Sequence, residues 1–206
     1  AILQGSPLTG SISQGNLYDT YKGIGGPFAI KDLNLFDESG NNIINATNQI
    51  DNNLYYYSFA IDNSFIQTGD GNDEFYINNY RGYYVAGLQN STLNSGKGSD
   101  KIIIELLEDR FVYGAFGLEN SEIDTGSGDD EVEITITSSK NSAFASYALT
   151  NSSIKLGEGN DNLNISQNNS SGNLDIAISG EVSNSVLYDF GSGDDVGSFY
   201  SKGYGI

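Results

Sequence analysis

The chain has 206 residues, with 27 acidic against 9 basic side chains and a formal charge of −18. That negative field excludes nucleic acid and anionic membrane surfaces as partners and leaves divalent cations as the natural counter-ligands. Cys, His, Met and Trp are absent, which removes disulfides, thiolate chemistry, zinc–thiolate sites and the commonest general base.

With 26 Gly, only 2 Pro and 37% hydrophobic residues, the composition is that of a turn-rich all-β protein able to build a core. No run of 18 apolar residues occurs, so no membrane insertion is expected. No signal peptide is recognised in the first 30 residues, so the chain reads as mature or as cut from a longer one.

The chain repeats itself. Anchors at Gly5, Asp32, Asn63, Asn90, Asn120, Asn151 and Asn184 are spaced by 27, 31, 27, 30, 31 and 33 residues, the last five being Asn-Ser dipeptides. The first coil carries Leu3, Leu8 and Leu17 around its anchor. The second carries Ile30, Leu35 and Ile44, with a degenerate turn Ser39-Gly40-Asn41-Asn42. The third carries Ile61, Ile66 and Phe75, with the turn Gly69-Asp70-Gly71-Asn72-Asp73.

In the fourth coil Leu88, Leu93 and Ile102 flank Gly96-Lys97-Gly98-Ser99-Asp100. Its segment 102–108 is the best helical candidate, yet it reads better as a strand running into a turn. The fifth has Leu118, Ile123 and Val132 with Gly126-Ser127-Gly128-Asp129-Asp130. Its run Glu131-Val132-Glu133-Ile134-Thr135-Ile136 alternates with period 2, the mark of a strand. The sixth has Leu149, Ile154 and Leu163 with Gly157-Glu158-Gly159-Asn160-Asp161. The seventh has Val182, Leu187 and Val196 with Gly191-Ser192-Gly193-Asp194-Asp195, slipped by one residue against its anchor.

All 21 column positions are apolar, which chance does not produce at 37% hydrophobic content. One such repeat cannot bury its apolar face, whereas stacked repeats can. The expected fold is therefore all-β: a right-handed parallel β-helix, or β-solenoid, of about seven coils of 27–33 residues. It forms a single domain over 1–206, with degenerate coils over 1–62 and regular coils over 63–206. Neither end shows a polar cap, so end-to-end self-association is a candidate property.

Stacking also places Asp73, Asp100, Asp130, Asp161 and Asp195 in one column. Two unit charges about 4.8 Å apart repel by about 1 kcal/mol in water and about 3.5 kcal/mol at an effective dielectric of 20. A hard divalent cation relieves that repulsion. An Asp after Gly-x-Gly can instead hydrogen-bond its own turn without metal. The Asn of the anchor tolerates left-handed backbone, and stacked Asn side chains can bond between coils.

These turns resemble hemolysin-type (RTX) calcium-binding repeats, G-G-x-G-x-D-x-U-x with U apolar. Residues 68–76 read T-G-D-G-N-D-E-F-Y and residues 125–133 read T-G-S-G-D-D-E-V-E. The wider repeat is similar to arrays in large secreted cyanobacterial proteins. The resemblance implies calcium ions in a row between coils. Their ligands would be the five Asp and the carbonyls of Gly69, Gly71, Gly96, Gly98, Gly126, Gly128, Gly157, Gly159, Gly191 and Gly193. It also implies an extracellular or cell-surface setting in a bacterium. Two departures stand out. Thr68, Ser95, Thr125, Leu156 or Phe190 replaces the first glycine, and each coil has one turn where the family's roll has two.

The sequence thus points to a calcium-binding structural or adhesive module, with a self-assembling fibre subunit or a carbohydrate-binding β-helix as alternatives. Tyr55, Tyr56, Tyr57, Tyr76, Tyr80, Tyr83 and Tyr84 cluster, so surface glycans are a candidate partner, though such rings more often cover a flank. No enzyme is expected: the two arginines, Arg81 and Arg110, stand apart from the Asp turns. The broken Thr68–Ser95–Thr125 column lacks the regularity of an ice-binding face.

Overall fold

The computed structural model describes residues 2–4, 8–13, 18–24, 27–49, 57–108, 114–138, 146–169 and 186–202. Among them every regular element is a strand, and every pairing between strands is parallel. The chain is a parallel β-solenoid. The segment 101–108 is a strand, as its alternation indicates.

One sheet has eight strands, in order Ile2–Gln4, Tyr18–Ile24, Ile43–Gln49, Glu74–Tyr80, Lys101–Glu108, Glu131–Ser138, Asn162–Asn169 and Val196–Lys202. The other sheet has eleven and folds across a corner. The long strand Phe28–Phe36 joins its two halves, pairing first with Tyr57–Asp62 and then with Phe65–Gln67. From there one half continues through Tyr84–Gln89, Gly114–Glu119 and Ser146–Thr150. The other continues through Thr92–Asn94, Glu122–Asp124, Ser152–Lys155 and Val186–Asp189.

The corner between the halves is the Asn-Ser anchor. Asn63, Asn90, Asn120 and Asn151 adopt φ of 47–49°, and Asp32 adopts 53°. This left-handed conformation penalises a side chain with a branched Cβ, whereas Asn tolerates it. Their amides also chain from coil to coil: Asn151 Nδ2 donates to Asn120 Oδ1 at 2.8 Å and Asn63 Nδ2 to Asp32 Oδ1 at 2.6 Å.

Three apolar ladders fill the interior. Ile30, Ile61, Leu88, Leu118 and Leu149 lie in register, as do Leu35, Ile66, Leu93, Ile123 and Ile154. Ile44, Phe75, Ile102, Val132 and Leu163 make the third. None of these is more than 1% exposed. Each such side chain contributes about 1.5–3 kcal/mol by leaving water. Between the eight-stranded sheet and the strand Tyr57–Asp62, the buried Asn48 amide donates to Ser58 Oγ, which donates to Asn79 Oδ1 at 2.7 Å.

The outermost coils depart from the expected columns. Leu8 lies opposite Ile30 and Ile12 opposite Leu35, while Ile2–Gln4 joins the eight-stranded sheet beside Tyr18–Ile24. Leu3 therefore does not head the first column, and Asp19 rather than Leu17 faces Ile44. The sequence of this coil carries neither the Gly-x-Gly-x-Asp motif nor an Asn-Ser dipeptide, and alternation alone fits more than one phase.

At the other end Tyr188 faces Ile154 and Gly197 faces Leu163. Leu187 and Val196 turn outward, 50% and 59% exposed. A slip of one residue exchanges the faces of a strand. The Phe190 ring fills the room left by Gly197, where an ideal Cβ would come within 2.8 Å of it. Residues Gly5, Leu17, Val182 and Asn184 lie outside the described residues.

Candidate functional site: the stacked glycine turn

The five Gly-x-Gly-x-Asp turns stack directly, their second residues bridging in sequence from Ser39 through Asp70, Lys97, Ser127 and Glu158 to Ser192. The degenerate turn at Ser39 thus belongs to the same column. The glycines answer to this stacking. Gly96 has φ of +100°, and a Cβ there would stand 2.0 Å from the carbonyl oxygen of Gly69. Gly126 meets Gly96 in the same way at 1.9 Å. Successive turns approach so closely that only hydrogen fits between them.

The last two residues of the turn reach opposite ways. The fifth reaches back: Asp73 Oδ1 accepts the Asn42 N–H at 2.7 Å and Asp100 Oδ1 accepts the Asp73 N–H at 2.8 Å. Asp130 holds Asp100, Asp161 holds Asp130, and Asp195 holds Asp161 in turn. The fourth reaches forward: Asn72 Oδ1 accepts the Ser99 N–H, Asp129 Oδ1 the Asn160 N–H, and Asn160 Oδ1 the Asp194 N–H. The turns at Asp70, Lys97, Ser127 and Glu158 are therefore bonded to the coils on both sides, and the Asn-Asp and Asp-Asp pairs supply a reach in each direction. Asn42, fully buried, occupies the fifth position of the degenerate turn, a placement its distance from Gly40 already suggests.

A further ladder lies at the Asn-Ser corner. Ser91 N–H donates to Ser121 Oγ and Ser121 N–H to Ser152 Oγ, at 3.1 and 3.0 Å. Each of these hydroxyls donates to the carbonyl two residues before it. Sequence reading placed the Asn of this dipeptide but missed the acceptor role of the Ser, although its recurrence was visible.

Asp73, Asp100, Asp130 and Asp161 are at most 2% exposed. Burial pushes the Asp100 carboxyl up to about 6, against hydrogen bonds from the Ser95 side chain and the Asp73 N–H, with the Asp73 charge adding repulsion. Burial pushes Asp130 up to about 7, and both Asp100 and Asp161 add to the rise. Asp73 and Asp161 are raised by the same cause.

Whether this column fits calcium depends on which oxygens are free. Oδ1 of each Asp is occupied by a backbone N–H. The Gly69, Gly96, Gly126 and Gly157 carbonyls accept N–H groups of the next coil, and the Lys97, Ser127, Glu158 and Ser192 carbonyls accept from the preceding one. Among the buried side-chain oxygens of the column, Oδ2 of Asp73, Asp100, Asp130 and Asp161 has no hydrogen-bond partner. Calcium takes about six to eight oxygens, and among the described residues no three acidic side chains come together to hold a metal. A cation in this column would have to draw on those Oδ2 atoms and on the carbonyls of Gly71, Gly98, Gly128 and Gly159, turn oxygens not engaged in these bonds.

The aromatic residues line a flank. Phe28, Phe59, Tyr84, Phe116 and Tyr147 run ring to ring with centroids 4.8–6.2 Å apart. Phe59 and Phe116 are buried by this packing, and the Tyr84 hydroxyl donates to Glu119. Tyr57 stands at the edge of the same stripe, while Tyr55, Tyr56 and Arg110 lie outside the described residues. Thr68, Ser95 and Thr125 are fully buried inside the turn column. A polar groove of about 400 Å³ follows the Asn-Ser corner past Asn90, Asn120 and Asn151, where Glu122 pairs with Lys155.

Compared with known proteins, the chain matches no family model, no curated protein and no solved structure.

Proposed function

We propose that this chain is a non-catalytic structural or adhesive module, a stiff spacer rod within a bacterial surface or secreted protein. One observation carries the reading: at two of its corners the polar groups bond to neighbouring coils rather than converge on a ligand. Such bonding makes stacking directional and the rod resistant to bending. The proposed winding is right-handed, following the strong preference of parallel crossovers. About seven coils follow from the 27–33-residue spacing of the anchors. The extracellular setting rests on the resemblance to secreted repeat arrays. Calcium, implied by the same resemblance, is the rival to hydrogen bonding as the agent that holds the turns together.

A second reading, assembly into fibres by end-to-end stacking, draws on apolar side chains exposed between residues 187 and 200. Val196–Lys202 pairs on one side only among the described residues. Leu187, Val196, Phe199 and Tyr200 are exposed there. Electron microscopy with sedimentation analysis of the purified chain separates the two. Discrete short rods at all concentrations support the spacer, concentration-dependent filaments support the fibre, and a compact sphere refutes both.

A further inference from the structure

Most of what holds the stack together is alike at every level. The apolar ladders, the glycine turns and the Asn-Ser corner recur from coil to coil, so they do not tell a coil's true neighbour from the coil beyond it, or from a coil of a second copy. What differs between coils is polar. In the eight-stranded sheet the place of Asn48 passes to Asn79, Leu106, Ile136 and Gln167 in successive coils. In the other sheet Ser58, Val85, Ala115 and Ser146 lie in register. All of these side chains are buried.

Where the first row holds an amide, the second supplies its partners. Ser58 Oγ accepts from Asn48 at 3.0 Å and donates to Asn79 at 2.7 Å. Asn79 Nδ2 donates to the Ser58 and Ala86 carbonyls at 2.6 and 2.8 Å, and Gln167 Nε2 to the Ser146 carbonyl at 2.7 Å. In between, Leu106, Ala115 and Ile136 fill the same places with apolar groups. Asn48 Oδ1 and Gln167 Oε1 have no partner among the described residues, and a half-satisfied buried amide adds less stability than a well-packed apolar side chain. Stability alone does not account for the amides.

The outer columns distinguish coils by charge. Lys101 of the fourth coil stands between Glu74 and Glu131 and pairs with Glu131. Gln89 of the same coil stands between Asp62 and Glu119, and its amide donates to Glu119 at 2.8 Å. Each possible skip therefore has its own cost. Leaving out the third coil strips Asn48 of Ser58. Leaving out the fourth sets Asp62 against Glu119 and Glu74 against Glu131, like charges on adjacent strands. Leaving out the fifth takes Glu131 from Lys101.

We propose that these polar positions form a stacking code: they match only between coils in native order, and so block stacking out of order within one chain or between copies. The code is independent of what the rod carries.

The test is refolding of the full chain by dilution from urea, read by size exclusion with light scattering and by amide NMR. The native protein should return as one monomer with one set of resonances. Asn48→Leu with Ser58→Ala and Asn79→Ile gives the second and third coils the apolar set of the fourth and fifth. Glu74→Gln with Glu119→Gln removes the like charges that guard the fourth coil. Both variants should keep an unfolding constant within about threefold of native, or below it. Both should lower the yield of native monomer at least about twofold, the rest appearing as misstacked monomers and oligomers. Ser121→Ala, which weakens a corner shared by the regular coils, should lose stability and keep the native yield. The charge variant changes only partly exposed side chains and keeps the test decisive if the amide variant fails to fold. Refolding of either variant to a single species as fully as the native protein overturns the proposal. So does a yield that merely follows stability, with Ser121→Ala falling alongside them.

Discussion

Replacing Ser121 by Ala tests whether side-chain acceptors hold one coil to the next. The Ser121 hydroxyl accepts the Ser91 N–H at 3.1 Å and donates to the Glu119 carbonyl at 2.8 Å. Ala removes both bonds. The Glu119 carbonyl keeps the Asn90 N–H as a donor, so losing the hydroxyl costs it little. The Ser91 N–H, in a residue 4% exposed, has no replacement. An orphaned buried donor costs about 1–3 kcal/mol, so the expected loss is about 2 kcal/mol. Urea unfolding should shift the midpoint without changing the slope. Amide exchange should show Ser91 losing protection beyond the global change. Thr92→Ala, at a side chain half exposed on the same corner, should stay within about 0.5 kcal/mol of native. Ser121→Ala with Ser152→Ala should give nearly the sum of the two single losses, because Ser91 and Ser121 N–H are separate donors. A Ser121→Ala variant within about 0.5 kcal/mol of native would refute the ladder as a source of stability.

Gly126→Ala should cost about 2–5 kcal/mol in the same assay, combining left-handed strain with overlap against the Gly96 carbonyl. At Asn120, with φ of 48°, replacement by Gly should be nearly neutral. Ala there should cost about 1–2 kcal/mol, and equal losses for the two would contradict the left-handed corner. Leu118→Ala removes a side chain stacked between Leu88 and Leu149 and should cost about 2–5 kcal/mol by thermal or urea unfolding.

Much of the architecture was legible because a stack turns sequence period into vertical contact. Leu88, Leu118 and Leu149, about thirty residues apart, touch as that period requires. The prediction weakened where punctuation was missing. Around Leu8 the sequence has no Gly-x-Gly-x-Asp motif or Asn-Ser dipeptide to mark the phase, and Leu3 competed equally well for the place that Leu8 takes. Around Leu187 a one-residue slip reversed inside and outside, and only competition for core space put Tyr188 and Phe190 inward.

The repeat spacing, the apolar alternation and the glycine pairs of 57–169 are local or periodic properties, and the sequence alone determined from them that strands stack in parallel with an aspartate column at one corner. It did not determine which way each carboxyl reaches. Asp130 belongs to its own turn in sequence but caps the Asp100 amide of the preceding coil, while Asp129 caps the following one. That choice depends on which N–H groups the neighbouring coils leave open, a quantity that exists only once the coils are packed. The same packing occupies the carbonyls of the first two turn residues and buries Oδ2. Packing, rather than the order of residues, therefore decided the direction in which each carboxyl bonds.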